Sequence, residues 1–259
     1  MIQMKNMISI VIIEYHSLID VENCILSFKN QRRELNLEFI VSSNSLYNIE
    51  KQLELQQKYN DVIWAFNLEN GGFAYAMNCG AKLAHSSIIL CVNSDTRMVR
   101  GLKEMYDYAV KHDCVGIIAP KIVNENGILQ DSCREYLSIS SFVMRHCKRI
   151  FKNKSVILSK NIDYNSVQSV DWVIGAFMMI KKDVFDMVNG FDDNYFLYCE
   201  DADLCGKVKK KGKYVIYYPD AEIIYEGTRA ARYSYKYFKI FIKSLVRFWY
   251  KNGWFKCNY

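Results

Sequence analysis

Continuous apolar runs rich in β-branched residues recur along the chain: ISIVII from Ile8, EFIV from Glu38, VIWAF from Val62, IILCV from Ile88 and VGIIAP from Val115. Runs without polar alternation predict strands covered on both faces. Amphipathic stretches of helical period separate them. Val21, Cys24, Ile25 and Phe28 share one face after Asp20, a residue suited to cap a helix, and Leu102, Met105, Tyr106 and Ala109 share another. This alternation predicts an α/β fold with a mostly parallel, Rossmann-like central sheet flanked by helices, whose ligands bind beyond the carboxyl ends of the strands. The positions to inspect are therefore 14–17, 42–45, 67–72 and 93–96.

From 121 to 170 the periodicity weakens: NENG reads as a turn, and the polar stretch 152–169 has no period. Regularity returns with DWVIGAFMMIKK, which predicts one apolar strand, then a short helix over 183–188 and the loop NGFDDNYF. The acidic cluster CEDAD starts a further helix, with Leu204 and Val208 on one face and Gly212 at its end. YVIYYP and EIIY close the sheet.

Composition narrows the class. A chain of 259 residues with 51% hydrophobic and 24% charged residues can fold as one α/β domain, and disorder is excluded. The net charge of +6 is uneven: the segment from Arg229 to Lys256 is studded with Lys and Arg and holds no acid, so the remainder is close to neutral. This predicts a domain over 1–228, with a first half to about residue 120 and a second half from 121, and a basic aromatic helical tail over 229–259. Nine cysteines without a CxxC pair fit reduced thiols in a cytoplasm, and four scattered histidines argue against a structural zinc site. The run ISIVII is too short for a signal-peptide core or a membrane span, and no later run approaches the roughly 20 residues a span needs.

The residues after the strands carry the candidate chemistry. CVNSDT places Asn93, Ser94 and the carboxylate of Asp95 just past a buried strand, where a hard cation bridging two phosphates could be held; a plain turn is the alternative. ENGGFAYAMNCG joins a glycine pair to a helix start with Asn70, Gly72, Phe73 and Asn78 beside it, so backbone amides could face an anion; a tight strand-to-helix connection is the alternative. Taken together, the two suggest a diphosphate site. No GxGxxG or GxxxxGK[ST] follows the first strand, which excludes the ordinary dinucleotide and P-loop sites.

Glu200, Asp201 and Asp203 crowd negative charge at one helix start. The helix dipole would stabilise two of them by about 0.3–1 kcal/mol each. That leaves Asp171, Trp172 and the loop GFDDNYF unexplained. A carboxylate beside aromatic surface and a second acid is suited to act as a general base on a hydroxyl.

In order and spacing, SIVIIEYHS, ENGGFAYAMNCG, CVNSDT, DWVIGAFMMIKKDVF, NGFDDNYFLYCEDADLCGKVKKKG and YPDAEIIY resemble an inverting family-2 glycosyltransferase of the GT-A type, from Ile8 to about Tyr225. GILQDSCR further resembles the rhamnosyltransferase-like branch. The resemblance implies transfer of rhamnose or another hexose from a nucleotide-sugar donor, dTDP- or UDP-linked, to a hydroxyl of a glycan in bacterial cell-surface polysaccharide synthesis. It makes Asp95 the ligand of Mg²⁺ or Mn²⁺ and Asp201 the base. Trp172, Asp171 and Glu200 would bind the acceptor; Glu14, Tyr15, Ser43, Asn70, Gly72, Phe73, Asn78, Asn93 and Ser94 would bind the donor. Ser42 and Ser43 stand where the family often has an Asp that reads the base, and Tyr225 where it often has a metal-binding His. The rival is a degenerate relative that only holds a glycan or a partner; retention of Asp95 and CEDAD argues against it.

The tail adds one expectation. Tyr237, Ile240, Phe241, Leu245, Phe248 and Trp249 share one helical face, and Lys236, Lys239, Lys243, Arg247 and Lys251 crowd another. This pattern predicts a helix lying on an anionic membrane, and the resemblance implies a peripheral enzyme at the inner face of the cell membrane with a lipid-linked acceptor. Packing on the domain is the alternative, and nucleic acid is not an expected partner.

Overall fold

In the computed structural model, residues 6–29, 31, 34–144, 158–159, 161–227 and 234–254 are described. The first four apolar runs form β1 (Met7–Glu14), β2 (Asn36–Ser43), β3 (Val62–Phe66) and β4 (Ile88–Asn93), and between them lie α1 (Leu18–Ser27), α2 (Ile49–Lys58) and α3 (Gly72–Ala81). These strands are parallel in the order β3-β2-β1-β4, with Ile10 opposite both Phe39 and Leu90. The chain winds outward from β1 to one side and then crosses to the other. That reversal opens a crevice beyond the ends of β1 and β4, the usual ligand position in such sheets.

The second half adds β5 (Arg97–Arg100), α4 (Leu102–Lys111), β6 (Val115–Val123), β7 (Cys133–Arg134), β8 (Gln168–Ser169), β9 (Trp172–Val173), β10 (Phe177–Lys181), α5 (Lys182–Met187), α6 (Glu200–Lys210), β11 (Tyr214–Ile224) and α7 (Tyr235–Asn252). The α/β reading holds, but the sheet is mixed: β10 runs antiparallel between β4 and β6, and β11 is parallel to β6 and antiparallel to β5 and β8. Apolar residues fill both faces. Val184 and Phe185 of α5, with Met77, Leu204 and Val208, pack on one face, and Val21, Cys24, Leu102 and Met105 on the other.

Four local features depart from, or add to, the reading of the sequence. DWVIGAFMMIKK is two strands in different sheets, β9 paired with β7 and β10 in the main sheet. The break falls at Gly175, where an added Cβ would lie 3.1 Å from the Phe73 ring and 3.4 Å from the Asp201 side chain. YVIYYP and EIIY belong to one strand, β11, whose register shifts between Tyr218 and Glu222 because Pro219 has no N–H for the ladder. Asp20 sits inside the first turn of α1 and Ser17 holds the cap position. β5 follows CVNSDT directly and carries no long apolar run to announce it.

The tail is corrected most. Leu245, Phe248 and Trp249 belong to the core cluster of the main body, and the Trp249 indole N–H donates to the Leu137 carbonyl at 2.8 Å. The aromatic face assigned to lipid covers the protein itself, with Phe142 packed against both Phe241 and Trp249. Arg247 and Lys251 are held in ion pairs to Asp192 and Asp203. The proposed boundary near 228 lies outside the described residues. Because Phe248 is 1% exposed, Phe248→Ala should destabilise the whole chain by about 3–5 kcal/mol. Chemical denaturation reads this directly, and a loss below about 1 kcal/mol would show that α7 is not part of the cooperative unit.

Candidate active site

Glu14 ends β1 fully buried and is surrounded by donors from the loops after β1 and β2. Its carboxylate accepts from the backbone N–H of Ser17 at 2.9 Å, from both the Ser43 and Ser45 hydroxyls, and from the Tyr47 hydroxyl at 3.0 Å. Glu14 therefore ties the loops after β1 and β2 together rather than presenting a free carboxylate, and Ser43 is engaged with it. Tyr15 is 51% exposed at the rim, its ring 4.6 Å from that of His16. Across the crevice, the Ser17 and Ser94 hydroxyls meet at 3.0 Å.

The start of α3 is fastened rather than open. The Gly72 N–H donates to the Asn70 side chain at 3.1 Å and the Phe73 N–H to the Phe196 carbonyl at 2.8 Å, so these two amides do not face a ligand. The Gly72 carbonyl accepts from Asn44, which also takes a hydrogen bond from Asn67. Gly72 has φ +86°, and a Cβ there would lie 2.0 Å from the Phe196 oxygen, so only glycine fits. Asn78, expected beside the donor, instead pairs with both backbone groups of Phe191 at 2.9 Å and reaches Asp193. It clamps α3 to the loop that leads into α6.

Asp95 stands exposed at the crest of its turn. Surrounding protein lifts its carboxyl above the usual aspartate value, its own backbone N–H opposes this, and Asp20 adds like charge. The side-chain amide of Asn93 donates to the Tyr225 hydroxyl at 3.2 Å. Both Asp95 and Asp201 act electrostatically on Tyr225, whose hydroxyl burial pushes well above its ordinary range. No group of three or more metal-ligating side chains occurs among the described residues. One accessible carboxylate fits a hard cation that takes its other ligands from a diphosphate.

The three acids at the head of α6 have three different environments. Asp203 is fully buried and bound by Lys251 at 2.8 Å and Asn252 at 2.9 Å, so it anchors α7. Glu200 is 5% exposed, and its Oε2 has no partner. Burial raises its carboxyl well above the usual range, and the charge of Asp201 adds to this. Asp201 is half-buried and accepts from the Gly175 N–H at 2.9 Å and the Ala202 N–H at 2.8 Å. Burial raises it too, opposed by those N–H groups and by Arg134. Tyr198 and Cys199, both at positive φ, turn the chain sharply into the helix. Strain of this kind gathers at functional sites.

Trp172 does not wall an open pocket. It is 5% exposed, its indole N–H donates to the Glu135 carbonyl at 2.9 Å, and the Arg134 guanidinium lies 4.7 Å from its ring centre. Asp171 pairs with Lys209 and accepts from the Tyr136 N–H at 2.8 Å. Arg134 was missed as a site residue although it ends the motif GILQDSCR; its β7 pairing with Trp172 depends on a contact across 38 positions. Asp192, Arg247 and Lys251 were missed for the same reason, since only the folded chain brings the C-terminal helix to the acids.

The sequence profile of Glycosyl transferase family 2 matches residues 9–187. Rhamnosyltransferase WbbL of Escherichia coli is 35% identical over 118 residues, 45% of this chain and 43% of that protein. The N-acetylglucosaminyl-diphospho-decaprenol L-rhamnosyltransferase of Mycobacterium tuberculosis is 37% identical over 60 residues, 23% of this chain and 20% of that one. GalNAc-T7, solved with UDP, GalNAc and Mn²⁺, superposes with a TM-score of 0.61 at 15% identity, covering 86% of this chain and 44% of that one, a likeness of fold. The chain spans under half the length of each.

The α7 ion pairs generate a pH expectation. Burial alone would raise the Asp192 carboxyl, but hydrogen bonds from Asn194, Lys251 and Arg247 outweigh it and hold the group well below the ordinary aspartate range. A depressed folded pKa contributes stability above the unfolded value of about 4, and that contribution is lost as pH falls through the window below it. Melting temperature should therefore drop less between about pH 5 and pH 2 in Asp192→Asn than in the wild type. Parallel curves for the two proteins would contradict the assignment.

Proposed function

The chain belongs to glycosyl transferase family 2, in a rhamnosyltransferase-like branch with a GT-A-like fold, and as a glycosyltransferase we propose that it moves one sugar from a nucleotide-linked donor to a glycan hydroxyl with inversion at the anomeric carbon. The donor is rhamnose or another hexose on dTDP or UDP, and the product a bacterial cell-surface polysaccharide. The observation that carries the reading is the pair Glu200 and Asp201, adjacent carboxylates in unlike surroundings. Asp201 has two backbone donors and the Arg134 cation to favour its ionised form, while Glu200 has an orphaned oxygen and favours its neutral one. Burial raises both carboxyls, and Asp201 has the donors that oppose the rise, so of the two it is the better placed to give up its proton and act as a base.

In the proposed step the acceptor oxygen forms a bond to the anomeric carbon as the bond to the diphosphate oxygen breaks, and the hydroxyl proton passes to Asp201. Glu200, with an oxygen that has no partner in the protein, can hydrogen-bond the acceptor sugar. The donor lies in the crevice between the ends of β1 and β4, above the Glu14 network, with Asp95 at its mouth. A divalent cation held by Asp95 and the diphosphate would neutralise charge on the leaving group. With Asn93 committed to Tyr225, we expect that cation to arrive with the donor. Asp201→Asn should lower turnover by about 10²–10⁴-fold while leaving the thermal shift produced by donor unchanged. Turnover within a few-fold of wild type would remove Asp201 as the base.

The proposal extends to the membrane by a different face from the one expected. Among the described residues no helix is long and apolar enough to cross a bilayer. On α7, Tyr235, Phe238, Ile242, Val246 and Tyr250 are exposed and fall along one side of the helix, beside exposed Lys236, Lys239 and Lys243. An apolar stripe bordered by cations suits a peripheral enzyme on the inner face of the membrane, acting on a lipid-linked acceptor, each cation contributing about 1 kcal/mol near anionic lipid. Phe238→Ser with Ile242→Ser should reduce co-sedimentation with phosphatidylglycerol vesicles several-fold without lowering the melting temperature. Equal partitioning of variant and wild type would sink the membrane reading.

A further inference from the structure

Beside the catalytic helix lies a cavity of about 150 Å³, lined by Arg134, Glu135, Asn161, Gln168, Asp171 and Lys209 among others. None of the donor-side residues reaches it. Its chemistry is distinctive: one guanidinium, one ammonium, two carboxylates and two carboxamides. The two positive and two negative side chains balance, and they are already paired or hydrogen-bonded. Lys209 binds Asp171, Arg134 binds Asp131 at 2.9 Å, and Asn161 donates to Glu135 at 2.6 Å. Such a lining offers no net charge to a phosphate or a carboxylate. It offers planar donors and acceptors in pairs, which match the vicinal hydroxyls of a neutral sugar, each hydroxyl being both donor and acceptor.

Its position relates it to the acceptor. Arg134 and Asp171 line the cavity, Arg134 stacks on Trp172, and three residues after Trp172 the Gly175 N–H holds Asp201. Lys209 follows Asp201 by eight residues on α6, two turns and about 12 Å along the axis. A sugar held at the Lys209 end of the cavity therefore sits apart from the one that presents the reacting hydroxyl to Asp201, while the Arg134 end shares a wall with the residues that hold Asp201. We propose that this cavity is a second glycan subsite, which takes a neutral sugar of the acceptor chain beyond the sugar that carries the reacting hydroxyl. The inference rests on the acceptor-side reading of Asp201.

The test is saturation-transfer NMR on the full chain, with methyl glycosides of the common neutral hexoses and N-acetylhexosamines and the matching disaccharides as probes. At least one disaccharide should bind about tenfold more tightly than either methyl glycoside, the size of one or two well-placed hydrogen bonds. Asn161→Ala with Gln168→Ala should remove that gain and keep the binding of the methyl glycoside, with an unchanged melting temperature confirming the fold. Asp201→Asn should keep the gain. No disaccharide bettering its components, an undiminished gain in the double variant, or preference for a uronate or a sugar phosphate would each overturn the subsite. Failure of the transfer reading would show elsewhere, as undiminished turnover in Asp201→Asn with the disaccharide gain intact.

Discussion

The segment from Phe191 to Asp203 is held at nearly every step by something distant in sequence, and the site depends on that. The Phe191 backbone is pinned by Asn78, Asp192 by Arg247 and Lys251, Leu197 by the Ser244 hydroxyl at 2.8 Å, and Phe196 by the Phe73 N–H. Asp201 closes the set by accepting from Gly175. A loop with two consecutive residues at positive φ would relax if left alone. Here α3 grips it on one side and α7 on the other, so the carboxylate at its end is placed by the whole second layer rather than by its own helix.

This explains how three neighbouring acids are tolerated. Like charges this close destabilise one another unless each is neutralised differently. Asp203 is paired with a lysine from α7, Glu200 is pushed by burial toward its neutral form, and Asp201, which burial also raises, has backbone N–H groups and a nearby guanidinium that oppose the rise. Removing a partner would leave a buried charge uncompensated, which costs several kcal/mol. The basic helix is thus a structural counterion for the acidic one, and its excess charge is partly internal to the fold.

Strand positions, the crevice loops and the acid cluster were legible because apolar runs and turn chemistry are local signals. The four loops singled out beyond β1 to β4 do converge, through Glu14, Asn44, Asn67 and the Ser17–Ser94 contact. What was illegible depends on contacts remote in sequence. Asn78 looks like a ligand until Phe191 is seen across from it, and the aromatic face of α7 looks like a lipid face until Leu137 and Phe142 cover it. An amphipathic pattern states that one face is buried and not what buries it. The splitting of DWVIGAFMMIKK was hidden for the same reason, because Gly175 is demanded by Phe73 and Asp201 and by nothing in its own segment.

The two departures from the family pattern become intelligible together with their neighbours. An aspartate at position 43 would set a second carboxylate against Glu14, which is fully buried and already has its acceptor sites filled; a serine there donates to it instead. A charged imidazole at position 225 would lose the contact by which the neutral Tyr225 hydroxyl accepts from Asn93. In both places this chain has a neutral hydroxyl hydrogen-bonded to a fixed neighbour. This side of the crevice consequently keeps its shape through hydrogen bonds among its own residues and leaves Asp95 as the exposed carboxylate of the CVNSDT turn, so under the proposed function the donor's phosphates would supply most of the negative charge that attracts a cation there.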